Sequence, residues 1–151
     1  MKKLFFLLIV SLPLLFACDM ETSDNGDFDG YWHLMSVDTL ASSKQCDMSQ
    51  QFVFWAVQSN LIQLRGADRV KEGGVGREYY ERFELKNSVL SLYDPHEKDR
   101  ENSDPVITDE RLDCLRPYGI NGLSEQFEVV TLNSRELVLK SSMLVLRFRK
   151  Q

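Results

Sequence analysis

Apolar and polar residues alternate with period two in short runs separated by turn residues, and this pattern restricts the fold more than any other feature of the sequence. In the run 143–149, Leu144, Leu146 and Phe148 fall on one face of an extended chain, and two arginines fall on the other. Strands with one buried and one solvated face have this pattern. Helical periodicity is scarce, so the sequence predicts an all-β protein.

The alternating runs give the number and order of the strands. Eight candidate strands span 31–39, 51–57, 61–65, 77–86, 89–93, 126–132, 135–140 and 143–149. Short polar turns of hairpin length join several of them, which favours antiparallel neighbours. About eight strands is the number at which a sheet closes into a barrel that side chains or one small ligand can fill. We therefore predict a single small antiparallel meander barrel.

Longer connections interrupt the meander twice. Residues 68–76 include three glycines and are expected to be a mobile loop, and residues 94–105 are charged, hold two prolines and are expected to be a solvated loop. Beyond the second loop, Thr108 is placed to cap one short helix near 108–116, which Pro117 would end.

The composition excludes some classes of partner. The chain has 151 residues, enough for one domain, and carries 18 basic and 23 acidic side chains with a formal net charge of −5. Proteins hold phosphate backbones with clustered lysine and arginine, and no such cluster occurs in this sequence. We expect no nucleic acid partner.

The first seventeen residues have the pattern of a secretory signal peptide. Two lysines precede the apolar stretch 4–17, which is too short to span a bilayer and ends at Leu15-Phe16-Ala17-Cys18. This tetrapeptide resembles the lipobox of bacterial lipoproteins, in which the cysteine is acylated and becomes the first residue. The resemblance implies that residues 1–17 are removed and that Cys18 anchors the protein in a membrane. The alternative is an ordinary cleaved signal with a chance cysteine.

Residues 18–29 carry five carboxylates and no basic residue, and predict a flexible acidic tether to a domain at 30–151. Acidic residues directly behind an acylated cysteine resemble the export signal that sends lipoproteins to the cell surface in one large group of Gram-negative bacteria. The other interpretation is a solvated spacer of a periplasm-facing lipoprotein. The expected location is the outer membrane, in either the periplasmic or the surface-exposed leaflet.

Three cysteines occur, and lipidation of Cys18 would leave Cys46 and Cys114 in an oxidising compartment. We predict that these two form a disulfide. A cysteine nucleophile with His33 or His96 as its base is the sharper alternative, and it needs a thiolate environment that a sequence does not show.

A second resemblance rests on Gly30-Tyr31-Trp32 at the start of the first strand and on Arg147 and Arg149 in the last. These residues are similar to those of the lipocalins, whose Gly-x-Trp tryptophan packs at the closed end of the barrel beneath an arginine from the final strand. The resemblance implies that Gly30, Trp32 and Arg147 pack together at one barrel end. The domain looks most like the small lipocalin-like domains of bacterial envelope lipoproteins, many of which have no assigned activity.

The sequence contains only part of a metal-binding pattern. Asn25, Asp27, Asp29 and Gly30 match the start of an EF-hand loop, but Ser36 stands at the twelfth position, where a bidentate carboxylate is needed. The two histidines lie 63 positions apart, which disfavours a zinc site. We predict no metal site.

Motifs for catalysis are also missing from the sequence. It has no Gly-x-Ser-x-Gly, His-Glu-x-x-His or Cys-x-x-Cys motif, and the glycines at 73–76 lack the Lys-Ser/Thr of a phosphate loop. Carboxylate pairs such as Glu81 and Glu84 would lie on opposite faces of a strand. We predict no catalytic residue and no cofactor, with an envelope hydrolase as the last alternative.

The aromatic residues give the remaining candidate contacts. Phe52 and Phe54 share one face of a strand, Trp55 points the other way, and Tyr79 lies in another strand. They either fill the core or meet a ligand or partner. The predicted function is a lipid-anchored envelope binding protein whose barrel mouth, framed by 68–76 and 94–105, admits a small apolar or amphipathic ligand. The alternative is a structural or protein-interaction module with a filled barrel.

Overall fold

The computed structural model of the chain describes residues 23–66 and 76–151. These residues form nine strands: β1 (Gly30–Thr39), β2 (Lys44–Asp47), β3 (Phe54–Gln58), β4 (Leu61–Arg65), β5 (Tyr79–Lys86), β6 (Val89–Glu97), β7 (Glu125–Leu132), β8 (Glu136–Lys140) and β9 (Leu144–Lys150). All pairings are antiparallel, in the order β2-β1-β3-β4-β5-β6-β7-β8-β9. A further pairing of β1 with β9 closes eight strands into a barrel, and β2 is an extra strand.

Strand β1 closes the barrel because it has three partners. Along one edge its first half pairs with β3 and its second half with β2, while β9 pairs with the other edge from Trp32 to Thr39. The register with β9 shifts between Leu34 and Ser36, which marks a bulge in β1. Bulges bend a strand and increase its twist, as closure requires.

The predicted fold class is confirmed, and each of the eight predicted strands is present with its ends shifted by four residues at most. The sequence analysis missed β2, since all four of its residues are exposed and no alternation marks them. The short helix predicted near 108–116 is present as two consecutive 3-10 helices, Asp109–Cys114 and Arg116–Tyr118. Thr108 is the N-cap residue, but its side chain makes no cap hydrogen bond.

The two predicted loops have different outcomes. Residues 67–75 lie outside the described residues, and most of the predicted loop 68–76 falls there. In the second loop, β6 continues to Glu97, and a 3-10 helix forms at Arg100–Asn102. No helix within the described ranges is both long enough and apolar enough to cross a membrane.

Side chains fill the interior of the barrel. Both tryptophans are fully buried, and the strands add further inward aliphatic and aromatic residues. Residues 107–124, which we call the plug, close the end of the barrel where β1 finishes. The plug contributes four side chains that are at most 1% exposed: Ile107, Leu115, Tyr118 and Ile120. Trp55 Nε1 donates a hydrogen bond to the Tyr118 carbonyl at 3.2 Å and fixes the plug to the interior.

The opposite barrel end is closed by a 3-10 helix, Gly26–Phe28. Phe28 is fully buried, and its carbonyl accepts a hydrogen bond from Trp32 Nε1 at 2.8 Å. Lys150 Nζ lies 4.9 Å from the centroid of the Trp32 ring and donates to the Asp27 carbonyl at 2.8 Å. A cation thus covers Trp32 while tying the last strand to the N-terminal helix.

The cation over Trp32 is Lys150, so the position that the resemblance assigned to Arg147 belongs to a different residue. Leu146 and Phe148 point into the barrel, and alternation turns Arg147 outward. Its side chain is 50% exposed and pairs with Asp38, with 3.4 Å between Nε and Oδ2. Only a residue at the very end of β9 reaches the barrel end that Gly26–Phe28 closes, which explains why Lys150 and not Arg147 covers Trp32.

Residues 23–29, the second half of the predicted tether, contact the barrel end that Gly26–Phe28 closes. Ser23 Oγ donates to Asp29 Oδ1 at 2.5 Å and accepts from the Ser59 amide at 2.6 Å. Asn25 Nδ2 donates to the Ser59 carbonyl at 2.7 Å. Partial burial opposes ionisation of Asp29, but the hydrogen bonds from Ser23 and Asn25 outweigh it and lower its pKa. Residues 18–22 lie outside the described residues.

The predicted disulfide is wrong, because the structure has no bond between Cys46 and Cys114. Cys46 is exposed in β2, where its Sγ lies 3.8 Å from Met48 Sδ. Cys114 ends a 3-10 helix and packs half-buried against the core. The prediction rested on the oxidising compartment that both cysteines would share, and a shared compartment does not bring two Cα atoms within the distance that a disulfide needs.

One inward side chain of β5 departs from the apolar pattern. Glu81 is 1% exposed, and neither of its carboxyl oxygens has a hydrogen-bond partner within 23–66 and 76–151. Burial, together with the like charge of Glu125, raises the pKa of Glu81 to about 8. The carboxyl is therefore mostly protonated at neutral pH.

The Glu81→Gln change tests this protonation through stability. The pKa of Glu81 is higher in the folded chain than in the unfolded chain, so the folded state binds more protons between pH 4.5 and about 8. The associated stability is present below pH 4.5 and is lost as the pH rises through 8. We expect the free energy of unfolding, measured by urea denaturation, to fall more steeply with pH in the wild type than in Glu81→Gln. The exposed Glu84→Gln variant serves as the control, and parallel pH profiles for wild type and Glu81→Gln would contradict the assignment.

A Gly30→Ala change tests the packing of Lys150 at the barrel end that Gly26–Phe28 closes. Gly30 has φ +126°, and an added Cβ would lie 2.6 Å from Lys150 Cε. We expect a loss of about 3 kcal/mol in unfolding free energy, measured by urea denaturation, from backbone strain and displacement of Lys150. Gly26→Ala is the matched control, since Gly26 also has a positive φ but an added Cβ there meets nothing within 4 Å. It should cost about 1 kcal/mol, and equal losses would show that Lys150 has no part in the effect.

Candidate binding groove

Side chains occupy the interior of the barrel, and a large recess lies on its outer wall. It has a volume of about 930 Å³ and extends between the N-terminal segment and the loop after β6. We call it the outer groove. Its lining consists of Ser23, Asp29, Gly30, Tyr31, Ala56, Val57, Gln58, Ser59, Leu61, Gln63, Tyr80, Arg82, Lys98, Arg100 and Asp104.

A row of outward residues across four strands forms the floor of the groove. Tyr31 of β1 pairs with Ala56 of β3, Ala56 with Gln63 of β4, and Gln63 with Tyr80 of β5. Side chains at paired positions lie side by side on one face of a sheet. Because Ala56 is much smaller than its neighbours in this row, the surface is lower there, and the larger side chains become walls.

Three basic residues line the groove, and they differ in how they are paired. Lys98 Nζ lies 2.6 Å from Glu78 Oε2, and Arg82 Nε lies 3.3 Å from Asp94 Oδ2. The exposed side chain of Arg100 forms no ion pair with any residue that the structure describes. Arg100 is thus the cation of the groove that a ligand can reach without displacing a partner.

The acidic residues of the groove are engaged in local structure. Asp104 Oδ1 accepts from the Asp99 amide at 2.8 Å. Burial, followed by the charges of Asp104 and Asp94 and a hydrogen bond to Asp104, raises the pKa of the Tyr80 hydroxyl. Asp29 is held by Ser23 and Asn25, as described above. The groove therefore offers an anion one accessible cation and two carboxylates that are already hydrogen-bonded.

A smaller aromatic recess of about 60 Å³ adjoins the groove and shares Tyr31 with it. The Tyr31 and Phe54 rings stack with their centroids 4.7 Å apart, and His33 stacks on Phe54 at 4.6 Å. Phe52 lines the recess and is 63% exposed. The outer wall thus carries aromatic surface next to the groove.

The four aromatic residues proposed as contacts are therefore divided between two places. Phe52 and Phe54 lie on the outer wall, at the aromatic recess. Trp55 packs in the core against Phe148, with ring centroids 4.9 Å apart, and Tyr79 is 1% exposed. Trp55 and Tyr79 hold the interior together and do not form part of an exposed patch.

The groups proposed for alternative chemistry hold local structure. His33 Nε2 lies 2.6 Å from the Gln51 carbonyl oxygen, and His96 bonds to the Asp104 carbonyl and to the Asp94 carboxylate. Within 23–66 and 76–151, no three or more histidine, cysteine or acidic side chains gather in a way that could hold a metal ion.

Sequence reasoning missed Ala56, Gln63, Arg82 and Arg100. Their proximity depends on strand register and on the path of the loop after β6, which no local pattern shows. One signal was available: Ala56 is the small residue among the outward positions of a strand that also carries Phe54 and Gln58.

Comparisons with known proteins agree with this architecture. The profile of the lipocalin-like domain matches residues 13–151. The crystal structure of a lipocalin-like protein from Bacteroides uniformis has a TM-score of 0.61 and 21% identity, over 83% of this chain and 100% of that one. An uncharacterized protein from Bacteroides eggerthii has a TM-score of 0.59 and 18% identity, over 82% of this chain and 98% of that one. No curated protein matches the sequence. The profile covers most of the chain, which therefore belongs to the family of lipocalin-like domains.

Proposed function

We propose that this protein is a lipid-anchored binding protein of the cell envelope, without catalytic activity, that holds its ligand in the outer groove and not inside the barrel. The observation that carries the proposal is that the barrel interior is filled while a recess on the outer wall is open. Both tryptophans and the plug fill the interior, whereas a recess of about 930 Å³ lies open on the outer wall. That volume is within the range of small-molecule sites.

The lining of the groove favours an amphipathic ligand with an anionic group. Ala56 and Leu61 present apolar surface, and Leu61 is 36% exposed. Arg100 supplies a cation with no ion pair among the described residues, and its guanidinium suits carboxylate and phosphate groups. A fatty acid has both features, an apolar chain and a carboxylate.

The position of the N-terminal segment supports placing the groove close to the anchoring membrane. Ser23 is fixed to the barrel at Ser59, and both residues line the groove. Five residue steps separate Cys18 from Ser23, so even an extended chain spans at most about 18 Å between them. An acyl group on Cys18 would hold this end of the groove near the lipid surface.

A second candidate function is a protein-interaction module, and the exposure of Phe52 favours it. An aromatic side chain that is 63% exposed beside two stacked rings is a typical anchor of a protein interface. This role would use the aromatic recess, whereas a small amphipathic ligand would use the groove floor.

Filling the groove tests the first proposal. We expect Ala56→Trp to abolish binding of dansylaminoundecanoic acid, measured by dansyl fluorescence, because the indole occupies the low point of the floor. Val138→Trp is the matched control, since Val138 is a half-buried residue of β8, on the far side of the barrel from β3. Unchanged binding in Ala56→Trp would contradict the assignment of the groove.

The charge of Arg100 is tested with the same probe. We expect Arg100→Gln to weaken binding of the acid about tenfold, equivalent to about 1.4 kcal/mol for one charged hydrogen bond. The methyl ester of the probe should bind wild type and variant alike, because it has no carboxylate. Arg135→Gln, in the turn between β7 and β8, is the control for net charge. Equal weakening for the acid and the ester would argue against the charge contact.

The anchor is tested separately with Cys18→Ser. We expect the wild-type chain to incorporate labelled palmitate and to sediment with membranes. The variant should do neither, because it lacks the thiol that carries acyl chains and several acyl chains are needed for stable anchoring. Cys46→Ser should behave as the wild type. Membrane association of the unlabelled Cys18→Ser chain would contradict anchoring through this thiol.

A further inference from the structure

Glu81 is a carboxyl group in a place that normally holds an apolar side chain. It lies on the inner face of β5 between Tyr79 and Phe83, and all three are at least nine-tenths buried. Both carboxyl oxygens lack a hydrogen-bond partner in the part of the chain that the structure describes. A buried carboxylate is costly unless it is paired or hydrogen-bonded, so this position favours the neutral acid.

The elements around Glu81 offer no opposite charge. Strand β4 presents Ile62, which pairs with Glu81 in the ladder, and β6 presents Leu92 beside Phe83. Strand β7 contributes Glu125, whose like charge acts on Glu81 and disfavours a second negative charge. The plug holds two cations: Arg111 is paired with Glu97 of β6, and Arg116 with Asp113.

The plug residues Tyr118 and Asn121 are uncharged. Tyr118 packs edge-on against Tyr79, with ring centroids 6.1 Å apart. Asn121 donates its backbone amide to Glu125, while its side-chain nitrogen is buried without a hydrogen-bond partner. Among the residues that the structure describes, Glu125 is the charged group that acts on Glu81, and it does not compensate a negative charge there.

Glu81 and Glu125 form a pair of carboxyl groups, and Glu125 connects this pair to the plug. Its Oε2 accepts the backbone N–H of Asn121 at 2.6 Å. Burial raises the pKa of Glu125 even though hydrogen bonds from Asn121, Ser141 and Gly122 oppose the shift. The plug is thus held at one of the two carboxyl groups, next to the Trp55 contact to Tyr118.

We propose that Glu81 and Glu125 form a pH-sensitive latch, in which the proton on Glu81 keeps the plug seated and its loss to water releases residues 107–124 from the barrel end. The ionised Glu81 would face Glu125 in an apolar interior, and lifting the plug admits the water that solvates both charges. Release of the plug also breaks the Trp55 hydrogen bond to Tyr118, which makes Trp55 accessible.

The test follows the accessibility of Trp55 with pH. In a Trp32→Phe background Trp55 is the sole tryptophan, because the chain has two. We expect acrylamide quenching of its fluorescence to increase several-fold as the pH rises, with a midpoint near 8, while far-ultraviolet circular dichroism keeps the β signature. Glu81→Gln should abolish the increase. Glu84→Gln, an exposed residue of the same strand, should retain it.

A second variant distinguishes the latch from a purely structural role. Glu125→Gln keeps an oxygen that can accept the Asn121 amide but removes the like charge, so it should move the midpoint to lower pH. Hydrogen exchange of peptides within 107–124 gives an independent measurement on the chain that keeps both tryptophans. After correction for intrinsic exchange rates, it should show the same midpoints as the fluorescence. It also keeps the proposal testable if the Trp32→Phe chain does not fold. A pH-independent signal in the wild type, the same midpoint in Glu81→Gln, or loss of all β signal at the transition would each overturn the proposal.

Discussion

The pairing of β1 with β9 is the interaction on which the rest of the structure depends. It joins the first strand to the last at seven paired positions of β1 and turns an open meander into a closed barrel. Closure removes two sheet edges that would otherwise expose unpaired backbone groups. It also fixes which residues are inside, because each strand then has one face toward the interior and one toward solvent.

The interior that closure creates is used for packing, and this determines where a ligand can bind. Trp32, Trp55 and the plug residue Tyr118 are all fully buried and occupy most of the space at the two barrel ends. On the outside, the register that closure sets brings Ala56 between Tyr31 and Gln63 and so produces a recess. One set of hydrogen bonds between strands therefore accounts for both the filled core and the outer groove.

The strands could be predicted from the sequence because a half-buried strand shows its two faces as alternation along the chain. The same alternation places Glu81 on the side of Phe83, so its burial was within reach of the sequence, although the absence of a partner was not. Strand β2 has four exposed residues and no such signal. The place of Lys150 over Trp32 and that of Arg100 in the lining of the outer groove depend on where chain ends and loops lie, which tertiary structure sets.

Methyl NMR during titration with lauric acid tests the central claim, a filled barrel that binds on its outer wall, most directly. The chain offers alanine, leucine and valine methyl groups at both places. Binding in the outer groove predicts chemical-shift changes at Ala56 and Leu61, and none at the fully buried Leu92, Leu139 and Leu146. Changes at these interior leucines, with Ala56 and Leu61 unaffected, would place the ligand inside the barrel and contradict the account.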